Sequence, residues 1–288
     1  MFSQLPGVRW FRALAVGFAV SYLGVGLLLY FAQDSLLYPA PKAYERLTPQ
    51  DARLAFEDLH VEVNRREYLH AWWIPAGAPS AKTILMFHGN GYVIEEMATG
   101  EAVRLHETGA NLLLTDYRGY GGSTSLAPRE STIQEDAKAS LAYLTSRGVP
   151  IGNIYVLGRS IGSGPATQLA VDNPGLGGLI LESPFSSIDD AARQMSITSV
   201  YPIHWMLRTH FDNLSKVGNV RVPLLVICGT EDTLTPVWMA KEIYARANQP
   251  KQLDLIPSAG HNDLLEVGGQ GLTKVIRRFI GLQADGIK

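Results

Sequence analysis

The hydrophobic pattern of this chain changes period three times. Residues 13–32 hold no charged side chain and would be apolar on every face of a helix. Wound at about 1.5 Å per residue they reach about 30 Å, the depth of a bilayer core. They predict a membrane anchor over 13–33, preceded by a short N-terminus at 1–12. A cleaved signal peptide fits less well, because its apolar core runs to about 7 to 15 residues. A core helix would present one polar face. Residues 34–54, with Pro39, Pro41 and Pro49, predict an extended linker.

Beyond the linker, runs at 59–64 and 68–75 flank the polar Arg65, Arg66 and Glu67, which predicts an antiparallel hairpin at a sheet edge. From residue 82 short apolar runs alternate with amphipathic ones. Strands are expected at 83–87, 111–115, 154–157, 179–181, 224–228 and 252–256. Helices are expected at 94–107, 132–147, 163–171, 236–247 and 271–280. This rhythm predicts one α/β domain over 55–288 with a mostly parallel, doubly wound sheet and ligands at the carboxyl ends of its strands. The segment 186–222 has no strand run. Its Tyr201, Trp205 and Phe211, with Pro202, suggest a short helical lid whose aromatics line a pocket, or equally an ordinary connecting helix packed on the sheet.

Charge and composition narrow the function more than the fold. Lys and Arg total 25 against 27 Asp and Glu, a net charge of −2, and no basic run interleaved with aromatics suggests a nucleic-acid partner. The single cysteine, Cys228, excludes an intramolecular disulfide and a cysteine metal cluster, and its apolar run makes it a small core residue. Neither a dinucleotide fingerprint nor a metal-ligand spacing is visible, so no cofactor and no metal are expected. Arg9 and Arg12 sit tight against the anchor, whereas Lys42 and Arg46 lie about ten or more residues beyond it. That bias predicts a cytoplasmic N-terminus and a domain on the opposite side of the membrane. Oligomeric state leaves no trace in the sequence.

Residues with chemistry follow each expected strand. After 83–87 comes His88-Gly89-Asn90-Gly91; after 111–115, Asp116-Tyr117-Arg118-Gly119-Tyr120-Gly121-Gly122-Ser123; after 154–157, Gly158-Arg159-Ser160-Ile161-Gly162. Glu182-Ser183-Pro184-Phe185, Gly229-Thr230-Glu231-Asp232 and Gly260-His261-Asn262-Asp263 close the last three. These six motifs, in order, resemble the α/β-hydrolase superfamily from about residue 59 to the C-terminus. They are most similar to its membrane-anchored or serine-aminopeptidase-like branch.

The glycines flanking Ser160 suit a tight strand-to-helix turn that thrusts a serine hydroxyl out of the sheet edge. Such a hydroxyl needs a base, and an imidazole suits that task. His88 and His261 both follow a strand within a glycine-containing loop. The chain order serine, acid, histidine of this fold favours His261 as base and leaves His88 to shape its loop. The resemblance implies Asp232 as the carboxylate that orients the base, with Glu231 turned away and Asp189 and Asp190 as alternative acids. Backbone N–H groups of Ile161 and of Asn90, or Gly91, are the expected oxyanion donors. Arg159 and Glu182, both near strand ends, either stay separately solvated, the commoner outcome for such charges, or pair beneath the site. The expected activity is hydrolysis of a small-molecule carboxylic ester or thioester, including lipid esters, through an acyl-enzyme on Ser160. A serine aminopeptidase using Asp189, Asp190 or Asp212 to hold an ammonium is the second reading. A hydrolase-fold binding or signalling module without catalysis is the third.

Overall fold

The computed structural model describes residues 6–42, 47–76, 82–194, 198 and 200–281. Arg46, part of the expected lid (195–197 and 199) and the side chains of residues 6–9, Arg9 among them, lie outside the described residues.

Eight strands form one sheet: β1 (Glu57–Asn64), β2 (Glu67–Ile74), β3 (Thr83–Phe87), β4 (Asn111–Thr115), β5 (Ile154–Arg159), β6 (Gly178–Glu182), β7 (Leu224–Gly229) and β8 (Lys251–Ile256). The helices are α1 (Pro6–Leu37), α2 (Ile94–Met97), α3 (Glu101–His106), α4 (Glu130–Ser146), α5 (Ser163–Asp172), α6 (Ile188–Arg193), α7 (Ile203–Met206), α8 (Asn213–Lys216), α9 (Val237–Arg246) and α10 (Leu264–Phe279). The strand order is β1-β2-β4-β3-β5-β6-β7-β8. β1, β2 and β4 pair antiparallel, and every other pairing is parallel.

Because helices cover both faces, the inner strands β3, β5, β6 and β7 are buried along their whole length, which is why each reads as an unbroken apolar run. Alternate residues feed opposite cores. Leu85 and Phe87 join Ile133 and Ala137 of α4, Ala166 and Leu169 of α5 and Met239 of α9. Ile84 and Met86 join Ile94 of α2, Leu105 of α3 and Leu272 and Ile276 of α10. Cys228 is fully buried in the first of these cores.

Two expected helices differ from those observed. The one expected at 94–107 is divided into α2 and α3 at Gly100, whose φ of −113° and ψ of −83° lie off the helical region. The one expected at 271–280 starts earlier, at Leu264, and bends at Gly269, where φ is +47°, a conformation glycine adopts without steric cost.

α1 is long and apolar enough to cross a membrane, and its apolar side chains from Trp10 to Phe31 are largely exposed. Its C-terminal half is clasped to the domain. Tyr22 stacks on Tyr201 at 4.6 Å, Gln33 Oε1 accepts the Arg208 N–H at 2.8 Å, and Arg208 bridges to Asp34 at 3.0 Å. The expected linker is also tied down: Tyr38 is buried, Pro41 O accepts the Gly121 N–H, and Lys42 Nζ donates to Gly119 O at 3.0 Å.

Candidate active site

β5 delivers Ser160 into a short 3-10 turn that runs directly into α5. Ser160 has a φ of +51°, a left-handed conformation that side chains adopt only under constraint. The constraint is backbone crowding. A Cβ on Gly158 would lie 2.3 Å from Gly162 O, and one on Gly162 would lie 2.2 Å from Phe87 O. Only glycines on both sides let the turn close against β3.

The loops after β7 and β8 bring the other two groups to this point. A Cβ on Gly229 would strike Ala259 O at 2.2 Å, and the Glu231 N–H donates to Ala259 O at 2.9 Å, so the two loops are joined along their backbones. His261 Nε2 lies 3.0 Å from Ser160 Oγ, and its Nδ1 lies 2.8 Å from Asp232 Oδ2. Asp232 is buried while Glu231 is exposed. Asp232 Oδ1 accepts the N–H groups of Leu234 at 3.0 Å and Thr235 at 2.8 Å. The Thr235 hydroxyl adds a contact of 2.9 Å to Asp232 Oδ2. Burial alone would raise the Asp232 carboxyl above the usual range, but the hydrogen bonds from His261 and Thr235 and the nearby imidazole prevail and hold it below. The Asp263 carboxylate accepts the Gly260 N–H at 2.6 Å and so braces the turn carrying His261.

Asn90 and Ile161 line the same cavity of about 450 Å³ as Ser160 and His261. Its far walls are apolar: Leu37 from the end of α1, Phe185, Leu234, and Ile188, Ala191 and Ala192 from α6. His88 stands apart. It is buried against Tyr117, its Nδ1 hydrogen-bonds Gly89 O at 2.8 Å, and burial pushes its pKa down, which makes it a neutral loop-shaping side chain.

The three aromatics expected to line the pocket do not do so. Phe211 is 0% exposed and packs over Gly164 of α5, where a Cβ would meet its ring at 2.4 Å. Tyr201 faces α1, and Trp205 is 85% exposed. The wall comes instead from α6. Its signal was present in the sequence: Ser187 Oγ caps the helix by accepting the Asp190 N–H at 3.0 Å, and Ile188, Ala191 and Ala192 follow at helical spacing.

The charges beneath the site are also arranged differently from expectation. Arg159 Nη1 pairs at 3.1 Å with Glu101 of α3 rather than with Glu182, and its Nη2 reaches His261 O at 3.5 Å. Glu182 is fully buried and neither carboxylate oxygen has a hydrogen-bond partner. Burial first, then the neighbouring Glu101 charge, push its pKa up to about 8 against the opposing pull of Arg159. The strand register places Glu182 opposite Arg159, but α3 arrives from the side and supplies the closer carboxylate.

The comparisons with known proteins agree with this architecture. Residues 78–216 match the family described as serine aminopeptidase, S33. A protein of Mycobacterium tuberculosis with an uncharacterized function is 30% identical over 276 residues, covering 93% of this chain and 95% of its own. The alpha/beta hydrolase domain-containing protein WAV2 of Arabidopsis thaliana is 28% identical over 296 residues, covering 95% of each. An esterase from Pyrococcus furiosus shares the fold with a TM-score of 0.70, at 23% identity over 83% of this chain and 95% of that one. With this ancestry, this sheet and this arrangement at its strand ends, the chain belongs to the α/β-hydrolase superfamily.

Proposed function

We propose that the protein is a membrane-anchored serine hydrolase of carboxylic esters or thioesters. The observation that carries this reading is the continuous contact from Ser160 through His261 to Asp232, at 3.0 and 2.8 Å, opening into an apolar cavity. Ser160 Oγ attacks the ester carbonyl while His261 Nε2 takes its proton, and Asp232 holds the imidazole in the required tautomer and stabilises the imidazolium. The N–H groups of Asn90 and Ile161 face the developing oxyanion, a contribution of about 3 kcal/mol for each donor in systems where one was removed. His261 then protonates the departing alcohol, and a water activated at the same nitrogen releases the acid from Ser160.

Ester is favoured over peptide because no carboxylate lines the cavity among the described residues. Asp189 contacts His204 and His210, Asp190 accepts from Ser186 Oγ, and Asp212 caps α8, so none of the three is placed to receive a substrate ammonium. Leu37, the last residue of α1, borders the cavity, which favours an acyl chain arriving from the membrane. The positions of Arg9 and Arg12 against Lys42 and Arg46 favour a cytoplasmic N-terminus.

Turnover of nitrophenyl esters of graded acyl length, measured beside aminoacyl amides, tests the reading. The expected result is a kcat/KM for apolar esters at least about a hundredfold above any aminoacyl amide, because an ammonium buried in this cavity would lack a partner. Preference for the amides would return the aminopeptidase reading, and no turnover of either class would leave the binding module.

A further inference from the structure

Two carboxylates and two imidazoles converge behind the loop that carries Asn90. His70 on β2 places its Nδ1 3.6 Å from Glu95 Oε1 and 3.5 Å from Asp116 Oδ2. The nearest atoms of the three side chains all lie within 4.8 Å of one another. Asp116 is 0% exposed and Glu95 9%. His70 Nδ1, Glu95 Oε2 and Asp116 Oδ2 are buried without a hydrogen-bond partner, as is His88 Nε2, which lies 3.5 Å from Asp116 Oδ1. The ion-pair partners of Glu95 and Asp116 among the described residues are histidines only.

The orientation of His70 is set from its other side. His70 Nε2 lies 2.8 Å from Asp58 Oδ1, which holds the ring with Nδ1 toward the two carboxylates. A carboxylate behind an imidazole is the arrangement that orients histidine ligands in metal sites. Separations of 3.5 and 3.6 Å are too long for a directly shared proton, which needs about 2.9 Å. They suit an ion seated between the atoms, since bonds of about 2.0 to 2.2 Å place tetrahedral ligands about 3.3 to 3.6 Å apart. A dication seated there would meet both carboxylates and, on displacing its proton, His70 Nδ1. Backbone closes the space behind: a Cβ on Gly121 would fall 2.0 Å from Asp116 Oδ2, and one on Gly122 would fall 2.9 Å from His70 Nδ1.

We propose that His70, Glu95 and Asp116 form a binding site for a divalent transition-metal ion of the zinc class. One imidazole with two carboxylates suits such an ion better than it suits calcium or magnesium, which prefer all-oxygen shells. The ion has a positioning role. Asp116 Oδ1 accepts the Ile94 N–H at 3.0 Å, and Glu95 lies five residues after Asn90 on the helix that follows its loop. A metal here would join β2, the loop after β4 and α2 and fix the Gly89 to Val93 turn from behind. The ligands come from three elements, so no spacing in the sequence announces them.

The test uses untagged full-length protein in detergent, stripped of metal, with His204→Ala and His210→Ala in place to remove the second cluster of metal-competent side chains, around Asp189. Zn2+ is titrated calorimetrically, and Co2+ is followed by its visible ligand-field bands. The expected result is one saturable equivalent, with the intense Co2+ bands of a four-coordinate site. Glu95→Gln should weaken Zn2+ binding at least about tenfold without changing the circular dichroism. Asp58→Asn, on an exposed side chain, should weaken it by about 10- to 100-fold by loosening the orientation of His70. Absence of a saturable equivalent, or equal affinity in the parent and both variants, overturns the proposal.

Discussion

Ser160 holds a φ of +51°, a conformation that costs a non-glycine residue on the order of 1 to 3 kcal/mol, and the surrounding backbone enforces it. The same economy of space governs the charges beneath it. Glu182 is buried without a partner, with its pKa pushed up to about 8 by burial and by Glu101. Its folded-state pKa therefore lies above the value of about 4.3 in an unfolded chain. Between those values the folded state binds the extra proton, so the contribution of Glu182 to stability falls as pH rises from about 4.3 to about 8 and is constant beyond. Glu182→Gln, a neutral mimic, should remove that dependence. Its melting temperature should gain on the wild type across this window and stay above it at higher pH, as read by calorimetry in a pH series. A difference that does not change with pH would show that Glu182 is ionised throughout. At this scale the sequence was legible wherever a motif fixed the backbone. Gly158-Arg159-Ser160-Ile161-Gly162 announced the turn, and the six strand ends announced where Ser160, Asp232 and His261 would meet. The partner of Arg159 was not legible, because Glu101 lies 58 residues away in sequence on a helix whose approach angle no local pattern encodes.

At the scale of elements, the inner strands were readable because burial on both faces demands continuous apolar runs. β1 and β2 were readable from the polar turn between them. The segment expected as a lid was read from its aromatic content, and there the inference failed for a physical reason. Tyr201, Trp205 and Phe211 are equally suited to a pocket, a seam or a membrane-facing surface, and composition cannot choose among these. The fold uses them separately: Phe211 fills the space over Gly164, Tyr201 clasps α1 and Trp205 projects outward. α6 forms the cavity wall because its short apolar face follows directly on Phe185 at the end of the β6 loop. Its start was encoded by Ser187 and its face by Ile188, Ala191 and Ala192, a helix signal too short to compete with the aromatics beside it.

At the scale of the whole molecule, α1 belongs to the site as well as to the proposed anchor. Its outer turns expose Trp10, Phe11, Leu14 and Phe18, while its end is bound to α7 and contributes Leu37 to the cavity. An anchor held in this way would keep the cavity mouth at a fixed height beside the bilayer. The full chain should sediment with membranes and resist a high-salt wash, and deletion of residues 1–36 should move it to the soluble fraction. Release of the full chain by salt would contradict the anchor. The central claim, that Ser160 is a nucleophile activated by His261 and Asp232, is tested most directly by reaction with a fluorophosphonate followed by mass spectrometry of the labelled peptide. One covalent adduct is expected, located on Ser160 and absent from Ser160→Ala. An unlabelled wild-type protein, or an adduct that persists on Ser160→Ala, would contradict it.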